Sequence, residues 1–315
     1  MKVFVLYARA GHGHKKAAQA IAEALAARPD GRHDVRLIDA LAHTFFLFNH
    51  LYEITYYVLV RYAPWLWALF YWVTDSGLPR SWVAFLRGHN NRLFGAGLRR
   101  FLQRENPDVI LCTHFFSAEV AAGLKREGKI SARVVAVVTD FLAHRFWVNA
   151  GTDHYIGMME ETAEDLRRKG VDPARVSVLG IPVSGRFRER VDREAIRSKL
   201  GFERGRFCIL FTSGSFGIGP LSRAVRGLAR FSKDVQAMVV CGTNEKLFRE
   251  LESVRVGFPL AVFGFVDNMH ELMDLAQVLV SRSSGLTTCE ALAKGLPMIV
   301  ISPIPGQEAN NARTL

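Results

Sequence analysis

Residues 279–311 read LVSRSSGLTTCEALAKGLPMIVISPIPGQEANN, and no other stretch says as much about the fold. A short apolar strand, Val278 to Ser281, turns through Arg282, Ser283, Ser284 and Gly285. A helix then opens near Leu286, carries Glu290 and ends at Gly295. A second apolar strand, Pro297 to Ile301, leads into Pro303, Pro305, Gly306, Gln307, Glu308 and Asn310. Strand, glycine-containing turn, helix and strand make the repeat of a doubly wound parallel sheet, in which ligands collect beyond the carboxyl ends of the strands. The turn aims free backbone N–H groups and a positive helix end at one point, which suits a phosphate. Glu290, one turn inside the helix, is placed to accept hydrogen bonds from paired hydroxyls such as those of a ribose. Gln307 and Glu308 offer donors and acceptors to a second polyol.

The same alternation runs outward from this stretch. Upstream, Phe207 to Thr212 is a strand followed by the small-residue loop Ser213, Gly214, Ser215, Phe216, Gly217, Ile218 and Gly219. Ala237 to Cys241 and Leu260 to Phe263 are further strands, the latter followed by Gly264, Phe265 and Val266. Earlier still, Val3 to Tyr7, Val109 to Thr113, Val134 to Thr139, His154 to Met158 and Val176 to Leu179 read as buried-type strands, and Gly180, Ile181 and Pro182 mark their end. The charged run Arg186 to Arg206 reads as a linker with a solvated surface helix. The expectation is an α/β protein of two Rossmann-like doubly wound lobes, residues 1–182 and 183–315, facing a cleft.

Composition agrees with a globular chain that buries a sizeable core: 49% of its residues are hydrophobic and 23% charged. The formal net charge of +11 favours an anionic partner, whether nucleic acid, an anionic lipid surface or a phosphorylated substrate. Cys112, Cys208, Cys241 and Cys289 lie in apolar contexts with neither pairing motifs nor metal-ligand spacing, so they read as reduced core residues of a cytosolic protein. The first strand runs directly into a Gly-His loop, which leaves no room for a signal peptide there.

That loop carries Gly11, His12, Gly13 and His14 ahead of an Ala-rich helix, Lys15 to Ala27. Two glycines permit a tight turn and a close approach to a ligand. The pattern opens like a dinucleotide fingerprint, and Asp39 ends the next strand where a ribose-binding acid would sit; Lys16, however, occupies the place of the third glycine. A histidine at a helix start is a candidate general base. Asp140, after the strand Val134 to Thr139, is a candidate to orient a histidine or a sugar, and His144 to meet a phosphate or headgroup.

From Thr44 to Val73 the chain concentrates aromatic residues, among them Tyr56, Tyr57, Tyr62, Trp65, Trp67, Phe70, Tyr71 and Trp72. A membrane span needs about 20 mostly apolar residues, and Asn49, His50, Glu53, Arg61 and Pro64 interrupt every such run. Downstream, Arg80, Arg87, Arg92, Arg99, Arg100 and Arg104 occur with no acidic residue from Leu78 to Arg104. Rings entering the lipid interface beside arginines that meet anionic headgroups would give a two-signal peripheral attachment.

The run from Ser283 through Glu290, with Gly295, Leu296, Pro297, Pro305, Gly306, Gln307 and Asn311, resembles the donor half of the lipid glycosyltransferases that make monogalactosyl- or glucosyl-diacylglycerol, relatives of the transferase that builds the lipid-linked peptidoglycan precursor. The resemblance extends over nearly the whole chain. The Gly11 to His14 loop is similar to the family's acceptor-side Gly-Gly-His motif, with His12 interposed, and Thr139, Asp140, His144 and Trp147 resemble a second acceptor-side pattern. Gly214, Ser215 and Gly217 resemble its diphosphate loop, and the backbone of Phe265 and Val266 the segment that holds the uracil. One departure is the turn Arg282, Ser283, Ser284, where the family usually has a glycine-rich turn after Lys or Thr.

The resemblance implies a GT-B fold and an inverting transfer of glucose or galactose from a UDP-sugar to diacylglycerol, on the cytoplasmic face of a membrane. His14 would remove the acceptor proton, and Arg282 with the helix ends would stabilise the departing diphosphate, with no metal cofactor. The implied partners are UDP-hexose, diacylglycerol and anionic membrane lipids, not nucleic acid. Gly11, Gly13, His144, Trp147, Trp65, Trp67, Trp72, Arg80 and Arg87 would serve the acceptor and membrane side. Family members continue past the Gln-Glu segment, so the second lobe is expected to be shortened. Other uses of these residues are an epimerase-like enzyme on the same fold, an NAD(P)-dependent oxidoreductase, or a non-catalytic membrane-binding protein.

Overall fold

The computed structural model describes residues 1–9, 12–29, 33–44, 46–76, 94–214 and 217–315, with backbone alone for 46–53. The chain forms two compact units: Met1–Ser184 together with Ile304–Leu315, and Gly185–Pro303.

In the first unit the described strands are β1 (Lys2–Tyr7), β2 (Asp34–Asp39), β3 (Val109–Cys112), β4 (Arg133–Val137), β5 (His154–Gly157) and β6 (Val176–Val178). They pair in parallel in the order β2-β1-β3-β4-β5-β6. Side chains alternate across a strand, so Phe4 and Leu6 enter the large core with Ile110, Val134 and Trp147, while Val5 and Tyr7 pack on the other face against Ala18 and Leu111. A sheet covered on both faces explains why these strands read as unbroken apolar runs. Around it lie α1 (His12–Ala26), α2 (Phe46–Tyr62), α3 (Pro64–Asp75), α4 (Ala96–Glu105), α5 (Phe115–Arg126) and α6 (Glu160–Arg168). α1 starts at His12, so His14 stands in the first helical turn rather than in a loop. α2 and α3 part at Ala63, because Pro64 lacks the N–H to continue one helix yet suits the first turn of the next.

The second unit has β7 (Phe207–Thr212), β8 (Val235–Val240), β9 (Leu260–Phe263), β10 (Val278–Ser281) and β11 (Met298–Val300), parallel in the order β11-β10-β7-β8-β9. The same alternation sends Cys208, Leu210, Met238 and Leu279 to one face and Ile209, Phe211, Ala237 and Val280 to the other. Its helices are α7 (Arg193–Lys199), α8 (Leu221–Gly227), α9 (Glu245–Glu252), α10 (Met269–Leu275) and α11 (Gly285–Ala293). The last helix of the chain, α12 (Gln307–Thr314), belongs to the first unit. That corrects the expectation that 183–315 forms one domain. Asn311 Oδ1 accepts from the Phe141 backbone N–H at 3.2 Å, and Gln307 Nε2 donates to Asp140.

Candidate functional site

In each sheet the strand order reverses beside the first strand of the unit, between β1 and β3 in one and between β7 and β10 in the other. Such switch points open a crevice at the carboxyl ends of the strands. His14 follows β1, and Thr113 follows β3. His14 Nδ1 lies 2.8 Å from the Thr113 carbonyl oxygen and 2.9 Å from Thr139 Oγ1. A carbonyl can only accept, so Nδ1 carries the proton and the lone pair of this imidazole is on Nε2. Thr113 Oγ1 donates to the His14 carbonyl at 2.9 Å, which fixes the backbone of the first helical turn as well. Burial pulls the His14 pKa down to about 4 against the opposing hydrogen bond to Thr113. The ring is therefore neutral at physiological pH, as a proton acceptor must be.

His114 packs edge-on against His14, with ring centroids 4.7 Å apart. Its Nδ1 accepts from the Phe116 backbone N–H, capping α5, and burial followed by the nearby His14 holds its pKa well below the usual imidazole range. Two adjacent imidazoles that both resist protonation keep this pocket uncharged.

Asp140 does not orient His14; Thr113 and Thr139 do that. Gln307 donates to Asp140 Oδ1. Burial raises the Asp140 pKa to about 6, with the Gln307 hydrogen bond opposing and Glu308 adding to the rise. A carboxyl that titrates near neutrality at a strand end is a candidate for acid–base or orienting work.

In the second unit, Ser213 follows β7 and Arg282 follows β10. The Arg282 guanidinium, 6% exposed, donates to the Ser213 carbonyl from Nε at 3.1 Å and from Nη2 at 2.8 Å. Gly214 has φ of +72°, and a Cβ there would lie 2.8 Å from Arg282 Nη2, so a glycine is what lets this arginine reach the strand end. Asn244 Nδ2 ties the loop down by donating to the Gly217 carbonyl at 3.0 Å. Ser283 is fully buried, and Ser284 is the N-cap of α11 in extended conformation without a side-chain cap hydrogen bond. The helix end thus presents N–H groups and positive potential beside a buried guanidinium, a setting for a diphosphate. Glu290 is half-buried within α11.

Other sequence-predicted residues are placed differently. Gly13 lies half-buried in the first turn of α1. Phe265 is half-exposed after β9, Val266 packs on the core, and β8 separates their strand from β7. Glu308 serves its own turn, accepting from the Ile304 N–H at 2.9 Å. His144 Nδ1 accepts from the Phe146 N–H at 3.1 Å, leaving Nε2–H to donate to Thr74 Oγ1 at 3.1 Å and to the Tyr71 carbonyl at 3.3 Å. It secures α3 rather than offering a group to a headgroup. Trp147, 1% exposed, is core and not a membrane contact. Trp65 and Trp72 are 68% and 64% exposed on α3, whereas Trp67 turns inward against Tyr56. Gly11, Ser215, Arg80 and Arg87 lie outside the described residues. Asp39, the candidate ribose acid, accepts from Arg9 Nε at 3.1 Å and from the Leu41 N–H at 3.1 Å.

Sequence alone assigns no individual role to Thr113, Thr139, Tyr71 or Asn310. A hydroxyl residue at the end of two neighbouring strands is the one signal for the first two. Among the described residues no helix is long and apolar enough to cross a membrane, and no group of three or more His, Cys, Asp or Glu is arranged to hold a metal ion. The four cysteines are buried free thiols.

Two doubly wound α/β units, each with polar groups gathered at its switch point, are the GT-B class of fold. Solved structures agree: a UDP-GlcNAc 2-epimerase from Neisseria meningitidis bound to UDP-GlcNAc superposes with a TM-score of 0.62 at 15% identity, covering 100% of this chain and 85% of the other. WaaG, a glycosyltransferase of lipopolysaccharide biosynthesis, gives 0.56 at 16% identity, covering 99% and 84%. At the level of sequence, residues 14–183 match the model of monogalactosyldiacylglycerol (MGDG) synthase, and 208–315 match the glycosyltransferase family 28 C-terminal domain. A processive diacylglycerol beta-glucosyltransferase of Bacillus thuringiensis is 27% identical over 314 residues, which are 99% of this chain and 79% of the relative. The chain belongs to the MGDG synthase family, a family of lipid glycosyltransferases.

Proposed function

We propose that the protein transfers a hexose, glucose or galactose, from a UDP-hexose to the free hydroxyl of diacylglycerol at a membrane surface, with inversion at the anomeric carbon. The observation that carries this reading is the fixed, neutral His14, whose Nε2 lone pair is the one ring position not committed to Thr113 and Thr139. Nε2 takes the acceptor proton as the hydroxyl attacks; a base held at about 4 is weak, and it suits a transition state in which the hydroxyl becomes acidic only late, on bonding to an oxocarbenium-like carbon. The negative charge that develops on the leaving UDP falls to Arg282, the N–H groups at the start of α11 and the backbone at Gly214 and Gly217. In this reading no metal cofactor is needed for the step. Phe265 and Val266 hold the uracil through backbone groups, and Glu290 accepts from ribose hydroxyls.

The acceptor lives in the bilayer, and α3 supplies the contact. Its outer face exposes Trp65, Leu69, Phe70 and Trp72, an apolar set of the kind that enters a lipid interface. The net charge of +11 adds attraction to anionic lipid, which favours the cytoplasmic leaflet. The relative's name and the family match support a diacylglycerol acceptor, and the epimerase bound to UDP-GlcNAc supports a UDP-sugar donor on this fold. Incubation with diacylglycerol vesicles and each labelled UDP-hexose in turn, followed by thin-layer separation of the lipids, tests the reading. One sugar is expected to appear in a glycolipid whose anomeric proton shows the inverted configuration. UDP binding with no lipid product from any UDP-hexose would overturn it.

A further inference from the structure

We infer that Tyr71 is a positioning residue, which seats the start of α12 so that Gln307 holds Asp140; the inference rests on the proposed function for its kinetic consequence only. α3 has two faces with different tasks. Trp65, Leu69, Phe70 and Trp72 point outward. Tyr71, Thr74 and Asp75 point inward, and each is engaged. Thr74 Oγ1 and the Tyr71 carbonyl receive His144 Nε2–H, Asp75 Oδ1 accepts from the Arg145 N–H at 2.7 Å, and Lys169 Nζ lies 2.9 Å from Asp75.

The base of the Tyr71 side chain lies against Gly306, the N-cap of α12. A Cβ at Gly306 would stand 2.9 Å from Tyr71 Cγ and 3.0 Å from Cδ1, and φ there is +87°. This backbone conformation and this approach both require a glycine. The Tyr71 hydroxyl hydrogen-bonds Asn310, one turn further along the same helix. α12 in turn places Gln307 on Asp140 and Asn311 on the Phe141 N–H. The chain of contacts is therefore continuous: an outward apolar face, the Tyr71 ring, the first turn of α12, the Gln307 amide, the Asp140 carboxyl. From the Tyr71 ring inward, each link is a packing contact or a hydrogen bond of a half-buried group. The Gln307 N–H favours the ionised form of Asp140. Loss of the Gln307 amide alone leaves the carboxyl with Trp147 as its other side-chain donor, and with Glu308 from α12 and Tyr71 from α3 as titratable neighbours that do not favour ionisation.

The test compares Tyr71→Ala, Tyr71→Phe, Gln307→Ala and Trp72→Ala in the full chain. Transfer is followed against pH, UDP affinity by calorimetry, vesicle binding by sedimentation, and Asp140 titration by carboxyl carbon NMR. Tyr71→Ala is expected to lower kcat at least about tenfold with UDP affinity and vesicle binding retained, and to move the acid limb and the Asp140 titration together away from their parent values. Gln307→Ala, which takes away the donor and leaves α3 intact, is expected to move the Asp140 titration to higher pH, and the double variant to lower kcat no further than Tyr71→Ala. Tyr71→Phe keeps the ring on Gly306 and should stay within about threefold of the parent. Trp72→Ala should weaken vesicle binding, and with it transfer to vesicle-borne diacylglycerol, while the Asp140 titration and UDP affinity stay at their parent values. An Asp140 titration unmoved in both Tyr71→Ala and Gln307→Ala overturns the inference. Absence of transfer by the parent protein would sink the proposed function instead, because the NMR titration reads the role of Tyr71 whatever the reaction is.

Discussion

The two switch points hold their polar groups at the same topological place and build them from different materials. Between β1 and β3 the chemistry is in side chains: an imidazole tied by Nδ1 to a carbonyl and a hydroxyl, and a second imidazole edge-on to it, while a carboxyl with a raised pKa follows β4. Between β7 and β10 it is in the backbone, with a glycine loop, a helix start and one buried arginine that holds the Ser213 carbonyl. The first arrangement is uncharged around a lone pair and suits moving a proton. The second is electropositive and suits holding an anion without reacting with it. Two halves of one fold type thus take different tasks from the loops and helix starts at their strand ends.

If that division of labour holds, His14→Ala breaks one side only. Transfer is expected to fall by about 10² to 10⁴ in kcat, with UDP affinity unchanged by calorimetry. A large loss of UDP binding in this variant would erase the distinction. Gly214→Ala strikes the other side. The added Cβ meets Arg282 Nη2 and the residue must keep a left-handed backbone, so UDP affinity should drop about tenfold. The proton-transfer side should be untouched, read as an unchanged pH profile at saturating donor.

Much of this contrast is legible in the sequence. The alternate burial of Cys208, Ile209, Leu210 and Phe211 follows from an unbroken apolar run, and the small residues after it mark a turn. Strand ends such as Thr139 and Arg282 can be placed because a parallel sheet puts all its carboxyl ends on one edge. The features that stay hidden depend on partners distant in sequence. Gln307 and Glu308 read as donor contacts because they follow the last strand of the second sheet, yet their helix docks on Asp140 and Phe141, more than 160 residues earlier. His144 and Trp147 share a motif with Asp140 but turn to α3 and the core, because a spacing says nothing of which way a loop side chain points. Tyr71 is one aromatic among many, and only the approach of Gly306 distinguishes it.

Smaller changes sharpen the side-chain half. Thr139→Val removes one of the two acceptors at His14 Nδ1 while Thr113 keeps the other, so kcat should fall only several-fold, about 1 kcal/mol. Asp140→Asn should separate stability from activity. The folded state raises this carboxyl to about 6, so it favours the protonated form, and the stability it contributes is present at low pH and lost as pH rises through 6. The amide should therefore raise the melting temperature by about 2–4 °C at pH 8 and by little at pH 5, while the acid limb of the activity profile near 6 disappears. A melting gain equal at both pH values would deny the carboxyl its raised pKa.

The account depends most on the state of one ring. Nitrogen NMR of the protein labelled at histidine reads the His14 tautomer and titration directly. The expected result is a neutral ring protonated on Nδ1, with Nε2 bare, that gains its second proton only near pH 4. A ring protonated on Nε2, or one that titrates near the ordinary value of about 6.5, would contradict it.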